Sequence, residues 1–317
     1  MVRNFYNNPK RRFSKHEMKQ PKFLYLALLG ALALSSQGTA LAQDASRWHN
    51  VDVNEQNREP RRAAFFAYET QDKAQSFEKK GSANYLSMEG MWKFNFVKDH
   101  NKRPANFFAA NYDDSSWTDF PVPGLFELNG FGDATYKNVG YAWATQFDPK
   151  PPYISELNNY TGSYRRTFDL PANWKGRDVF FHVGSATSNL TLWVNGKFVG
   201  YSEDSKVAAE FNISKYLKPG KNLIAMQVMR WCDGSYFEDQ DFWRLTGIAR
   251  EVYLYSRPKV HAADIRLDAG LENQYKDGVL HYDVALKGGK ADVAVKLCDK
   301  DGKLVAESTG AQGTIKL

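Results

Sequence analysis

An all-β sandwich or barrel is the fold class this sequence predicts, and three observations predict it. Short aromatic and β-branched runs alternate with period two, as in Trp92-Lys93-Phe94-Asn95-Phe96 and Tyr164-Arg165-Arg166-Thr167-Phe168. That period sends successive side chains to opposite faces of a sheet. Gly, Pro, Asn and Asp cut these runs at short spacing, while the 3.6-residue pattern of a long amphipathic helix is missing.

The first segment is a leader. Residues 1–42 hold seven bases and one acid, so the formal charge of +6 resides there and the rest of the chain is neutral. A neutral body has no net pull toward a phosphate backbone, which argues against nucleic acid as a partner. The basic stretch leads into Phe23 to Leu34, an apolar run too short for the about 20 residues that span a bilayer. Ala40-Leu41-Ala42 then supplies small residues at a cleavage site, so residues 1–42 are expected to be a secretory signal peptide. An uncleaved anchor is the alternative, and Met18 offers a second start. The expected destination is the periplasm or the outside of the cell.

From residue 43 the elements follow in order. Trp48 to Tyr68 is polar and irregular, and reads as an extended arm rather than a packed element. Strands are expected around Trp92–Phe96 and Tyr164–Phe168, with one or two helical turns over 104–110 and a loop at 113–117. Asp178 to Val183 and Asn189 to Val194 are two further strands. Asn195-Gly196 then marks a tight hairpin, because both residues tolerate positive φ, and Lys197 to Ser202 returns. Lys218 to Asn222 turns into a strand over 223–231, and Arg250 to Tyr255 closes the first domain, residues 43–257. After Pro258, alternation resumes over 260–267, 278–287 and 291–297. Residues 258–317 read as the opening of a second sandwich, short of the about 100 residues an immunoglobulin-like one takes. The chain is therefore expected to be cut short.

Several chemistries are excluded. Cys232 and Cys298 make neither a disulfide framework nor a C-x-x-C zinc pair. The sequence has no G-x-S-x-G elbow, no H-E-x-x-H pair and no phosphate-binding Gly-rich loop after a strand. One stretch remains, from Arg230 to Arg244, with four carboxylates, two tryptophans and Tyr236 around an Asp233-Gly234 turn. Ionised carboxylates accept hydrogen bonds from sugar hydroxyls, and aromatic faces cover the C–H face of a pyranose. A carboxylate among carbonyls also suits a hard cation. The same composition describes a solvated acidic loop pinned by buried aromatics, and both readings stand at this point. A proline-stiffened loop, Phe147 to Tyr153, and Tyr136-Lys137-Asn138-Val139 form a second, weaker cluster.

Arg230-Trp231-x-Asp233-Gly234-Ser235-Tyr236-x-Glu238-Asp239-Gln240-Asp241-x-Trp243-Arg244-x-x-Gly247-Ile248-x-Arg250 resembles the sugar-binding domain of glycoside hydrolase family 2 β-galactosidases. The likeness runs in order through Asn57-Arg58-Glu59-Pro60, Pro121-Val122-Pro123, Tyr136-Lys137-Asn138-Val139, Trp193-Val194-Asn195-Gly196 and Val199 to Ser205. It covers Trp48 to Pro258 and continues faintly beyond.

The resemblance implies a jelly-roll (galactose-binding-like) sandwich followed by an incomplete immunoglobulin-like one. A catalytic TIM barrel, holding both catalytic glutamates and the Mg2+ ligands, would then lie outside this chain, so no residue here is catalytic. Asn138 and Asp241 would contact galactose, and Asp241 would also ligate Na+ or another monovalent cation. Asp233 and Glu203 resemble positions near a structural cation. The implied partners are a β-galactoside, the missing barrel and, in a full-length enzyme, further copies in a homo-oligomer. A free-standing carbohydrate-binding module and an inactive gene fragment are the rival readings.

Overall fold

The computed structural model describes residues 47–238 and 241–317. The expected signal peptide lies outside the described residues, as do Asp239 and Gln240. Two antiparallel sheets build the sandwich. The larger runs, in spatial order, Glu55–Gln56, Lys197–Glu203, Asn189–Val194, Lys221–Met229, Thr161–Asp169, Gly90–Val97 and Thr118–Val122. The smaller runs Ala209–Asn212, Asp178–Val183, Val252–Arg257 and Tyr85–Ser87. An order this far from chain order is that of a jelly roll rather than a meander.

Alternation supplies the core. Leu190, Leu192 and Val194 of the larger sheet share one buried cluster with Val179, Phe181 and Val183 of the smaller. Each such side chain contributes about 1.5–3 kcal/mol by leaving water. The expected hairpin forms as read: Lys197 pairs with Val194, and Asn195 and Gly196 take φ of 50° and 82°.

The outer face of the larger sheet is covered as well. Trp193 and Ala225 pack with Phe107 and Trp117. The helical turns expected over 104–110 do not form. The residues make isolated turns, with the Ala109 amide on the Asn106 carbonyl at 2.9 Å and the Tyr112 amide on the Ala109 carbonyl at 3.2 Å; the Phe107 and Ala109 carbonyls also accept from buried Arg165, whose Nε donates to Asp114 at 2.6 Å. The arm corrects a second expectation. It makes only the strand Glu55–Gln56, paired with Ser202 and Tyr201, yet its first residues are packed. Trp48 is buried with Ile154, Tyr201, Met229 and Trp231.

Residues beyond 258 carry their own sheets. His261–Glu272, Asp277–Lys287 and Gln312–Lys316 form one, and Ala294–Cys298 with Leu304–Thr309 another. Tyr282, Val284 and Ile315 are buried at their centre. These strands belong to the same compact unit as the sandwich, Arg47–Leu317.

Candidate functional site

The acidic stretch leaves the larger sheet where Lys221–Met229 ends, and buried polar side chains fix its course. Asn159 accepts from the Trp231 amide at 2.9 Å and donates to its carbonyl at 3.1 Å, a side chain standing in for a strand neighbour. Asp233–Tyr236 is one turn of 3-10 helix. Tyr236 then donates to the Tyr153 carbonyl at 2.6 Å and accepts from the Lys150 amide at 3.1 Å, clamping the proline loop. Trp143 and Phe147 meet the Tyr236 ring edge-on. Glu238 takes both the amide and the hydroxyl of Ser205, at 2.9 and 2.6 Å.

On its return the stretch forms a strand that the sequence reading missed. Phe242–Arg244 pairs antiparallel with Thr135–Lys137, with Trp243 opposite Tyr136 and Phe242 opposite Lys137. The pairing ends there, and Asp241 and Asn138 are the residues next beyond it, both in bends. Tyr136 and Trp243, as directly opposite residues, share one face of the pair. Tyr136 donates its hydroxyl to Asp241 Oδ1 at 2.8 Å, and its ring centre lies 5.5 Å from that of Trp243. The bond and charge of Asp241 raise the Tyr136 phenol above its usual pKa. Asn138 and Asp241 are exposed, and the Tyr136 and Trp243 rings are about half exposed, at 52% and 51%. A cavity of about 430 Å3 opens beside Asp241, with Ser188, Ser205, Trp231 and Trp243 among its walls. The geometry is an open wall with a carboxylate and two aromatic rings side by side. The sequence named Tyr136 only as part of the cluster around Asn138, without a role of its own.

Glu203 and Asp233 meet elsewhere, in the interior. Glu203 ends its strand 4% exposed and Asp233 is 2% exposed. Their ligand atoms and Cys232 Sγ lie within 4.8 Å of one another. Tyr201 donates to Glu203 Oε1 at 2.6 Å and the Gly234 amide to Asp233 Oδ1 at 3.0 Å. Glu203 Oε2 and Asp233 Oδ2 are buried without a partner. Burial, opposed by the Tyr201 bond and reinforced by the Asp233 charge, pushes Glu203 up to about 9. Burial raises Asp233 as well. Two carboxyls placed this way hold a proton between them or share a hard cation. The orphaned oxygens fit such a cation. Burial raises the Cys232 thiol well above its usual pKa.

Comparison with known proteins adds the following. The family model described as glycosyl hydrolases family 2, sugar binding domain, matches residues 85–258. A β-galactosidase of Priestia megaterium is 40% identical over 243 residues, 76% of this chain and 24% of that protein. One from Halalkalibacterium halodurans is 36% identical over 266 residues, 84% of this chain and 25% of that protein. The chain thus spans about a quarter of the length of the relatives it matches. Among solved structures, a Ruminococcus gnavus β-glucuronidase aligns with a TM-score of 0.55 at 22% identity, covering 74% of this chain and 38% of that one. That likeness concerns the fold alone.

Proposed function

Because this chain belongs to glycosyl hydrolase family 2 and carries its sugar-binding domain, we propose that it is the N-terminal part of an exported β-galactosidase. The complete enzyme hydrolyses terminal non-reducing β-D-galactose residues with retention, using two carboxyl groups about 5 Å apart. In this reading both catalytic carboxylates and the magnesium ligands lie in a barrel outside the chain. The 317 residues alone are inactive, and the full-length enzyme is a homo-oligomer.

One observation carries the proposal: Asp241 takes the Tyr136 hydroxyl beside the Trp243 ring, at the end of the strand pair that Asn138 directly follows. Asp241 accepts from galactose hydroxyls, and Asn138 both donates and accepts. The rings cover the apolar face of the sugar. Tyr136 occupies Oδ1 of Asp241, which leaves the carboxylate's remaining lone pairs for a hydroxyl or a cation. A bound sodium ion would be held in part by Asp241 and would supply a positive charge beside the sugar oxygens. Glu203 and Asp233 would hold a structural hard cation under the loop.

The test is Asp241→Ala in the complete enzyme, assayed with aryl β-galactoside and aryl β-glucuronide. Hydrogen bonds to a charged group contribute about 1.5–3 kcal/mol, so kcat/KM for the galactoside should fall about 10- to 100-fold. The loss should sit mainly in KM, and sodium dependence should go with it. Wild-type kcat/KM and sodium response in the variant, or a preference for the glucuronide in the parent, would contradict the proposal.

A further inference from the structure

A second cavity, of about 580 Å3, opens at the other end of the sandwich from the acidic stretch. The paired nine-residue strands Thr161–Asp169 and Lys221–Met229 join the two ends, so about 25 Å of strand separates Arg230 from Leu170. The cavity lies between two loops, one holding the 3-10 turn Ala172–Trp174 and the other running over 217–220. Both loops are fixed: the Leu170 amide donates to the Gly220 carbonyl at 3.0 Å, and Trp174 Nε1 to the Ala83 carbonyl at 2.8 Å. The floor is apolar. Half-buried Leu170, Pro171 and Leu217 and exposed Pro219 line it, backed by Trp174 and Val179 of the buried core.

The charge around this floor has one sign. Lys175, Arg177 and Lys218 line the cavity, and no carboxylate does. Lys175 and Lys218 are exposed, and neither forms an ion pair among the described residues. Arg177 is half-buried and held by neutral groups, its Nε donating to Ser256 Oγ at 2.9 Å and its Nη2 to Asn84 Oδ1 at 2.8 Å. Its Nη1 is not buried and has no acceptor among the described residues. The two acids nearest in the chain have cations of their own: Asp178 takes Lys259, and Asp169 stands opposite Lys221 in the strand register.

We propose that this cavity binds an amphipathic carboxylate of the fatty-acid type, its chain against Leu170, Pro171, Leu217 and Pro219 and its head group on Arg177, Lys175 and Lys218. The volume falls within the about 300–1,000 Å3 usual for small-molecule sites, room for a chain of medium length. Arg177 is already oriented and gives its free N–H to a carboxylate without first breaking an ion pair. The two lysines, on flexible stems, close over the head group at the mouth. A neutral chain would leave three cations unanswered, and a bare oxyanion would leave the apolar floor in water. Only a ligand with both parts uses the whole site. The site is remote from Asp241 and independent of the galactoside reading.

The experiment titrates the 317-residue chain by calorimetry with hexanoate, octanoate and decanoate below their micelle concentrations, and with decanol and decyltrimethylammonium for comparison. Decanoate should bind with a dissociation constant on the order of 0.1 mM. Each added methylene should tighten binding about fourfold. Decanol and decyltrimethylammonium should bind about tenfold more weakly than decanoate. Lys175→Glu combined with Lys218→Glu changes two exposed side chains, so Tm should stay that of the parent while decanoate weakens about tenfold. Arg177→Gln should weaken decanoate as well, and the lysine pair decides the matter even where loss of the Ser256 and Asn84 bonds unfolds that variant. Equal affinity for decanoate and decanol, no gain with chain length, or unchanged decanoate affinity in the lysine pair overturns the proposal.

Discussion

Glu203 and Asp233 show what a single pair of residues can encode and what it hides. Each is an ordinary acid in the sequence; only the strand Lys197–Glu203 and the turn Asp233–Tyr236 bring their unpartnered oxygens together in the interior. Family likeness named both positions, whereas Cys232 and the Tyr201 hydroxyl beside them were invisible without the fold. The proton and the cation readings differ in a measurable way. With Glu203 pushed up to about 9, the empty pair carries a proton at pH 7.5 that an incoming cation must displace. Adding magnesium to the chain in weak buffer should therefore raise Tm and release on the order of one proton per site. Glu203→Gln should abolish the release. Binding should weaken as pH falls, since protons then compete for the same oxygens. No magnesium effect on Tm in the parent, or an identical one in Glu203→Gln, would leave the pair as a proton-sharing core element.

Local elements were legible wherever their pattern was local. The hairpin at Asn195-Gly196 and the strands Asp178–Val183 and Asn189–Val194 fall where alternation and turn residues set them. Phe242–Arg244 escaped notice because a three-residue strand has no period to read, and its partner lies more than a hundred residues upstream. The arm misled for a related reason: its polar composition concealed anchors that act through distant contacts. His49 Nδ1 accepts from the Ile154 amide at 2.9 Å, and its ring stacks on Tyr153. His100 Nδ1 bonds the Thr161 hydroxyl, which itself donates to the Asn159 carbonyl, so His100 carries its hydrogen on Nδ1. Burial lowers His49 to about 4, despite Glu156, and lowers His100 to about 2, helped by Arg103 and His49. Both folded values lie below the usual 6.5, so the stability they contribute is whole above pH 6.5 and drains as pH falls through that value toward 4. Between pH 7 and 5 buried His100 should cost on the order of 2 kcal/mol of unfolding free energy, and partly exposed His49 less. Urea unfolding at the two pH values measures the loss, and His49→Gln should lessen it. Equal slopes in parent and variant would rule out His49 as a source of acid sensitivity.

Across the whole molecule, the class of architecture followed from turn spacing, but the strand order did not. Lys221–Met229 lies between Thr161–Asp169 and Asn189–Val194, a pairing fixed by long-range burial that no window of sequence contains. That order carries Tyr160 and Arg230 to one end of the larger sheet. There the acidic stretch can fold back against Thr135–Lys137, so a wall made of distant segments, around residues 138 and 241, exists only once the jelly roll is complete. The account turns on whether both segments touch the same sugar. A double-mutant cycle on kcat/KM for a β-galactoside, using Asn138→Ala, Asp241→Ala and both together in the complete enzyme, measures this directly. Each single change should lower kcat/KM, and the pair should depart from additivity by about 0.5–3 kcal/mol, as neighbours on one ligand do. Additive losses, or a silent change at either position, would contradict a shared galactose wall.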